Sequence, residues 1–282
     1  MNAPSTVDEL MRWARSRLSP HVDQPQLEAR VLLREASGLN DTRLLAFPEN
    51  PIGPEERSRF MEWVERRALG EPVAYLIGSR EFWGLSLKLN EATLIPRPET
   101  ELLVERALAL RDARPARVLD LGTGSGAIAL ALASERPQWE ILATDQSRDA
   151  LTMAQDNAKR LGLNVRFLQS SWFQGLGEEA PFDLIISNPP YIASADGHLN
   201  QGDLRFEPRS ALAAGSDGLD DIRLILGEAP RWMRPNSPLL LEHGFEQGAA
   251  VRALFFNGPF HSVRTLADLA GQPRISEGFF KT

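Results

Sequence analysis

Asp183-Leu184-Ile185-Ile186-Ser187-Asn188-Pro189-Pro190-Tyr191 is the stretch on which the fold turns. Leu184 to Ser187 reads as a short, nearly all-apolar strand, the pattern of a strand covered on both faces. Two consecutive prolines then stop the ladder, because neither has an N–H to donate. They hold a stiff extended turn that presents Asn188 at the carboxyl end of a buried strand, where open α/β sheets bind ligands. Asn188 offers a side-chain carbonyl and Pro189 a backbone carbonyl. Two adjacent acceptors match the two hydrogens of an –NH2 group. Tyr191 adds a flat wall for a planar amide or base. A bare Asn-Pro-Pro is an ordinary turn; a glycine-rich loop upstream in the same sheet makes it a candidate site.

That loop follows Arg117-Val118-Leu119-Asp120-Leu121, which reads as a strand. Gly122-Thr123-Gly124-Ser125-Gly126 forms the turn, and Ala127 to Ala133 opens a helix. Glycines let the backbone pass close to a ligand and adopt positive φ. A second strand, Glu140 to Thr144, ends in Asp145, placed to accept the hydroxyls of an adenosine ribose. Gly122, Gly124 and Ala127 also satisfy the dinucleotide fingerprint, so the loop alone leaves S-adenosylmethionine and nicotinamide or flavin cofactors both standing. The glycine crowding at 124–126 and the amine-holding loop, which has no role in hydride transfer, tip the reading to a methyl donor. Asn164 to Leu168 is a third strand, leading to Trp172, which is placed either to stack on adenine or to pack at a strand end.

Further out, strand–helix alternation continues. Leu219 to Trp232 reads as a helix, Pro238 to Glu242 as a strand and Phe245 to Phe256 as a helix. Strands near Ser262–Asp268 and Arg274–Phe280 suggest a closing antiparallel hairpin. The stretch 198–216 is long and polar, a substrate-side loop. Glu242 and His243 end a strand near the expected pocket and receive no catalytic assignment. Upstream, Pro98 fits the first turn of a helix carrying Leu102, Leu103, Ala107 and Leu108. Leu85, Leu87 and Leu89 alternate with polar residues as a half-buried strand of a β-hairpin. Residues 1–75 read as helices. A capping box at Thr6 and Glu9 starts the first, and Leu27, Val31, Leu32 and Ala36 mark a face ended by Gly38. Phe60, Met61 and Val64 point inward from a helix opened by Pro54.

Bulk properties set bounds. The 282 residues suit one large α/β domain plus a smaller one. A net charge of −7 argues against a protein whose main partner is a nucleic-acid backbone. There is no cysteine, hence no disulfide and no thiolate metal site. The histidines and acids do not fall at metal-ligand spacing, so no metal is expected. With no apolar signal core and no membrane-length apolar run, a cytoplasmic location away from membranes is the expectation.

Together these residues resemble the release factor glutamine methyltransferases, the PrmC/HemK family. The resemblance rests on Ile95-Pro96-Arg97-Pro98-Glu99-Thr100-Glu101, Leu119 to Gly126, Asn188 to Tyr191, Arg205-Phe206-Glu207-Pro208 and Leu241-Glu242-His243-Gly244. The Asn-Pro-Pro-Tyr loop alone is shared with DNA adenine and other amino methyltransferases. The resemblance implies an α/β fold: a Rossmann-like class I methyltransferase sheet (97–282), a small N-terminal helical bundle for substrate recognition (1–78) and a β-hairpin linker (79–96). It implies S-adenosylmethionine as donor and, as substrate, the glutamine of the Gly-Gly-Gln loop of bacterial class 1 release factors, methylated on its side-chain nitrogen for translation termination. Carried over by position, Gly122, Thr123, Gly124, Ser125 and Gly126 hold the methionine part. Asp145 takes the ribose and Trp172 lies near adenine. Asn188 meets donor and substrate, and Asn188, Pro189, Pro190 and Tyr191 hold the glutamine, with Asn188, Pro189 and Tyr191 catalytic. Ser171 departs from an acid frequent before the tryptophan, and Ser276 to Phe280 depart from the usual ending. Rival readings are a ribosomal protein glutamine methyltransferase, an adenine-amino DNA methyltransferase and a nucleotide-binding adaptor. The acidic charge and the lack of a target-recognition domain count against the DNA enzyme.

Overall fold

The computed structural model describes residues 4–281. The chain folds as two compact units, the first ending at Gly78 and the second running from Ser79. The hairpin read as a linker therefore belongs to the second unit.

The first unit contains α1 (Val7–Leu18), α2 (Pro25–Ser37), α3 (Asp41–Ala46), α4 (Pro54–Ala68) and α5 (Val73–Ile77). Thr6 Oγ1 accepts from the Glu9 N–H while the Glu9 carboxylate accepts from the Thr6 N–H, the reciprocal capping that starts α1. Leu10, Leu18, Leu32, Leu33 and Phe60 are fully buried at its centre. Leu27, expected inside, is exposed. The buried stripe of α2 runs through Ala29, Leu32, Leu33 and Ala36, at helical spacing, and Leu27 falls off it. Arg67 of α4 lies against Glu28 of α2 at 2.6 Å, a largely buried pair joining the two helices.

The second unit opens with a hairpin, β1 (Ser79–Phe82) and β2 (Leu85–Lys88). Its two-residue turn, Trp83 and Gly84, has positive φ at both positions (54° and 69°), the hand that matches strand twist. A short 3-10 turn at Pro98–Thr100 leads into α6 (Glu101–Leu110), whose buried face is Leu103, Val104 and Ala107; Leu102 and Leu108, expected beside Leu103, lie at its half-buried margin. Then come β3 (Arg117–Leu121), α7 (Ala127–Glu135), β4 (Glu140–Asp145), α8 (Arg148–Leu161), β5 (Arg166–Gln169), β6 (Leu184–Ser187), α9 (Asp220–Glu228), β7 (Pro238–Glu242), α10 (Gly248–Asn257), β8 (Phe260–Ala267) and β9 (Pro273–Phe280). Among the described residues, seven of these strands form one sheet in the order β5-β4-β3-β6-β7-β9-β8. The strands from β5 to β7 pair in parallel, and β9 runs antiparallel to both β7 and β8. One face packs under α6 and α7, the other under α9 and α10. This double cover explains why β6 and β7 are buried along their whole length and apolar except at their last residues, Ser187 and Glu242.

Several boundaries differ from the sequence expectation, among them the helix expected over Leu219 to Trp232, which is α-helical only to Glu228 and finishes as a 3-10 turn, Ala229–Trp232. The helix expected from Phe245 begins at Gly248, because Gln247 folds its side chain back onto the Gly244 N–H and leaves Phe245 half exposed. The stretch 198–216, expected to be irregular, is built largely of three short 3-10 turns held by buried Leu199, Glu207 and Leu212.

The topology sets the site. The chain leaves β3 for β4 on one side and returns through β6 on the other, so the strand order reverses between β3 and β6. Ligands in open α/β sheets bind at such a reversal, outside the carboxyl ends of the strands. The register pairs Leu121 with Ser187, which sets Gly122 and Asn188 side by side at that edge. Ser187 Oγ donates to the Leu121 carbonyl at 2.7 Å and locks the two strand ends together.

Candidate functional site

A cavity of about 240 Å³ opens where the strand order reverses. Gly122, Gly124, Asp145, Trp172, Asn188 and Pro190 line it, as do Ser171 and Asp221. Gly122 has φ +71°, a region that a side chain disfavours, and a Cβ there would stand 3.6 Å from the Trp172 ring. Gly124, at φ +56°, has open space where a Cβ would be. Thr123 turns inward instead, its hydroxyl donating to Asp120 Oδ2 at 2.6 Å. Ser125 is buried and Gly126 caps α7, so these residues shape the loop from behind. Asp120 is fully buried, and burial pushes its carboxyl up to about 7 against the opposing Thr123 hydrogen bond. Asn157 of α8 ties the loop to the hairpin: its Oδ1 accepts from Lys88 N–H, and its Nδ2 donates to the Lys88 and Ser125 carbonyls.

Asp145 Oδ2 accepts from the Gly124 N–H at 2.9 Å, and Oδ1 accepts from the Ser147 N–H at 2.8 Å. Burial raises its pKa, and the backbone donors work against that rise. Each carboxylate oxygen keeps a second acceptor site, enough for a vicinal diol. Trp172 adopts φ 50°, uncommon for a bulky residue, and its indole N–H donates to Asp221 Oδ1 at 3.2 Å. Its ring is half-buried and forms part of the cavity wall. Asp221 supplies an acid to the wall from the first turn of α9, where Ser171 does not. The glycine wall, the diol-sized acceptor pair and the aromatic face fit a nucleoside with an aliphatic tail.

Across Asn188 lies a second, smaller cavity of about 50 Å³, lined by Leu94, Arg97, Pro189, Tyr191 and Leu204 among others. Asn188 belongs to both cavities. Its Nδ2 donates to Thr100 Oγ1 at 3.2 Å. Tyr191 Oη donates to Glu242 Oε1 at 3.4 Å, and burial raises the tyrosine pKa. Glu207 holds the strip above: its buried carboxylate accepts from the Ile95 N–H at 3.0 Å and pairs with Arg97. Burial raises the Glu207 pKa and the Arg97 charge opposes it. Among the residues to which sequence reasoning gave no role, Thr100, Glu207 and Glu242 come together around the Asn-Pro-Pro-Tyr corner, and Asp221 faces the larger cavity. Three of them stood in motifs already quoted; Asp221 reads from sequence only as a favourable acid at a helix start. His243 is buried behind the site, bonded to Ser276 Oγ, and His198 and His261 lie elsewhere on the surface. Among the described residues no group of three or more His, Asp or Glu is arranged to hold a metal, and no helix is long and apolar enough to cross a membrane.

The sheet order, the glycine loop after β3 and the acid ending β4 define a class I methyltransferase. A 16S rRNA methyltransferase of T. thermophilus, solved with AdoMet and guanosine, shares this fold at a TM-score of 0.54 and 21% identity, over 72% of this chain and 50% of its own. Residues 9–78 match the PrmC N-terminal domain and residues 98–203 the methyltransferase small domain. The release factor glutamine methyltransferase of Escherichia coli K12 is 46% identical over 96% of this chain and 98% of its own length. The enzyme of the same name from Salmonella typhimurium is 48% identical over 92% and 93%. The chain belongs to the release factor glutamine methyltransferase family.

Proposed function

We propose that this protein methylates the side-chain amide nitrogen (N5) of the glutamine in the Gly-Gly-Gln motif of bacterial class 1 release factors. The observation that carries the reading is the place of Asn188, shared by a nucleoside-sized cavity and a slot just large enough for a small planar group. S-adenosylmethionine, when bound along Gly122, Gly124, Asp145 and Trp172, supplies an activated methyl group. The N-terminal helical unit is assigned to gripping the release factor.

An amide nitrogen is a poor nucleophile because its lone pair is delocalised into the carbonyl, so the chain's main task is placement. Good alignment can supply about 7–11 kcal/mol of the barrier. Asn188 turns Nδ2 toward Thr100, which makes Oδ1 its acceptor end for substrate. With the Pro189 carbonyl it accepts both amide hydrogens, aims the nitrogen and favours the positive charge that develops there. Tyr191 walls the slot and keeps the amide plane fixed. The nitrogen gains the methyl as the sulfur–carbon bond breaks to a neutral thioether, and one nitrogen proton leaves. The methylated amide sheds that proton readily, so no strong general base is needed.

The test is transfer of labelled methyl from S-adenosylmethionine to purified release factor, ribosomal protein and DNA in separate reactions, with the modified residue located by mass spectrometry. Label on the Gly-Gly-Gln glutamine alone is the expected result. Label on ribosomal protein or on adenine, with none on the release factor, rejects the assignment.

A further inference from the structure

Two of the four residues of the Asn-Pro-Pro-Tyr corner, Pro189 and Pro190, have no N–H to spend on a neighbour. The place of the corner therefore depends on what holds its two ends. The near end is fixed by the sheet: Ser187 pairs with Leu121, and its Oγ bonds the Leu121 carbonyl at 2.7 Å. The far end is the Tyr191 carbonyl, and its partner comes from another loop.

That partner is Gln247, just before α10 and 56 residues further along the chain. Its Nε2 donates to the Tyr191 carbonyl at 2.9 Å and to the Asp217 carbonyl at 3.3 Å. Its Oε1 accepts from the Gly244 N–H at 2.8 Å. One carboxamide thus ties together the chain after β6, the turn after β7 and the lead-in to α9. Backbone carbonyls only accept and a backbone N–H only donates, so these three partners allow the amide a single orientation. The Tyr191 carbonyl is also closely enclosed. Gly218 has φ +75°, and a Cβ there would stand 2.2 Å from the Tyr191 oxygen, so only glycine lets this turn close over it. The pinned end then runs into the wall of the smaller cavity. The Ile192 N–H donates to the Leu212 carbonyl at 2.9 Å, and both residues line that cavity. Gln247 itself lines neither cavity.

We infer that Gln247 is a positioning residue: by pinning the Tyr191 carbonyl it fixes the far end of the corner, and so keeps the Asn188 and Pro189 acceptors and the Tyr191 ring aimed at the substrate amide. It touches no reacting atom and acts through the corner. The inference rests on the proposed role of that corner.

The test uses full-length Gln247→Glu, Gln247→Met and Asn188→Ala, assayed with labelled donor and intact release factor. Calorimetry measures S-adenosylmethionine binding, and thermal unfolding confirms that each variant is folded. At about pH 8 glutamate is ionised. It keeps the length of glutamine and the acceptor for Gly244, but turns a bare oxygen on the Tyr191 and Asp217 carbonyls. Methionine keeps the length and loses both ends. A misplacement of about 1 Å can cost about 10²-fold in rate, so both variants should lower kcat about 10- to 100-fold. KM for the release factor and Kd for S-adenosylmethionine should stay within about threefold, because a displaced corner costs alignment rather than binding. A folded Gln247→Glu with turnover within about threefold of the parent overturns the inference; beside a slow Gln247→Met it would give the role to the Gly244 contact instead. A fall in kcat matched by an equal loss of donor affinity also overturns it, as the mark of general loosening. A slow Asn188→Ala beside a fast Gln247→Glu refutes the role of Gln247 and leaves the reading of the site intact. A fully active Asn188→Ala refutes both.

Discussion

Replacing Asp145 with alanine removes a carboxylate that the fold already uses twice. Its Oδ2 fixes the Gly124 N–H at 2.9 Å and its Oδ1 the Ser147 N–H at 2.8 Å. In the donor complex the remaining acceptor sites meet two ribose hydroxyls. A hydrogen bond to a charged group contributes about 1.5–3 kcal/mol. Taking the low end, because burial has raised the Asp145 pKa and so weakened its hold on the charge, two such bonds give about 3 kcal/mol. That is about a hundredfold in Kd. Losing the anchor on Gly124 loosens the glycine wall and adds to the effect. Asparagine keeps one acceptor and should lose about half as much free energy. The assay is titration calorimetry with S-adenosylmethionine, with thermal unfolding run beside it to confirm that each variant is folded. A folded Asp145→Ala protein that binds the donor within about threefold of the parent would refute the ribose assignment.

Other outcomes follow from the same geometry. Asn188→Ala should lower kcat about 10²- to 10³-fold while donor affinity measured by calorimetry stays near the parent value; lost donor binding with normal turnover at saturation contradicts this. A release factor carrying glutamate in place of its Gly-Gly-Gln glutamine should be rejected by about 10⁴-fold in kcat/KM, because it lacks both hydrogens and sets oxygen against oxygen. Radiolabel incorporation checks this, and comparable labelling of the two proteins refutes it. Asp120 and Glu242 both have carboxyls pushed up to about 7 by burial. Their folded forms bind protons more tightly than their unfolded forms, so stability from these groups is present at low pH and is lost as pH rises toward 7. Asp120→Asn should therefore remove up to about 3 kcal/mol of the fall in stability between pH 5 and pH 8. Denaturant unfolding at both pH values measures it, and an unchanged difference between them refutes it.

The sheet was readable because its signals are local. Leu184 to Ser187 and Arg117 to Leu121 are short, mostly apolar segments followed closely by prolines or glycines, and such punctuation marks a strand without knowledge of its neighbours. The glycine loop was likewise visible, but its division of labour was not. Thr123 looks like its neighbours in sequence, and only the buried Asp120 beneath shows that it points inward. The missing signals were long-range. Thr100 and Asn188 are 88 residues apart, and Tyr191 and Glu242 are 51 apart. No periodicity encodes such pairs; the register of parallel strands creates them. Leu27 and Phe245 failed for a simpler reason. An apolar residue near a helix end joins the buried stripe only if the helix phase carries it there, and that phase is set by tertiary packing.

The central claim is that one rigid corner holds a carboxamide by both hydrogens and points its nitrogen at the donor. A crystal structure of the protein with a Gly-Gly-Gln release factor and S-adenosylhomocysteine tests it directly. The account predicts the glutamine nitrogen within about 3 Å of both Asn188 Oδ1 and the Pro189 carbonyl, facing the sulfur. A glutamine bound elsewhere, or Asn188 presenting its nitrogen to the substrate, would contradict it.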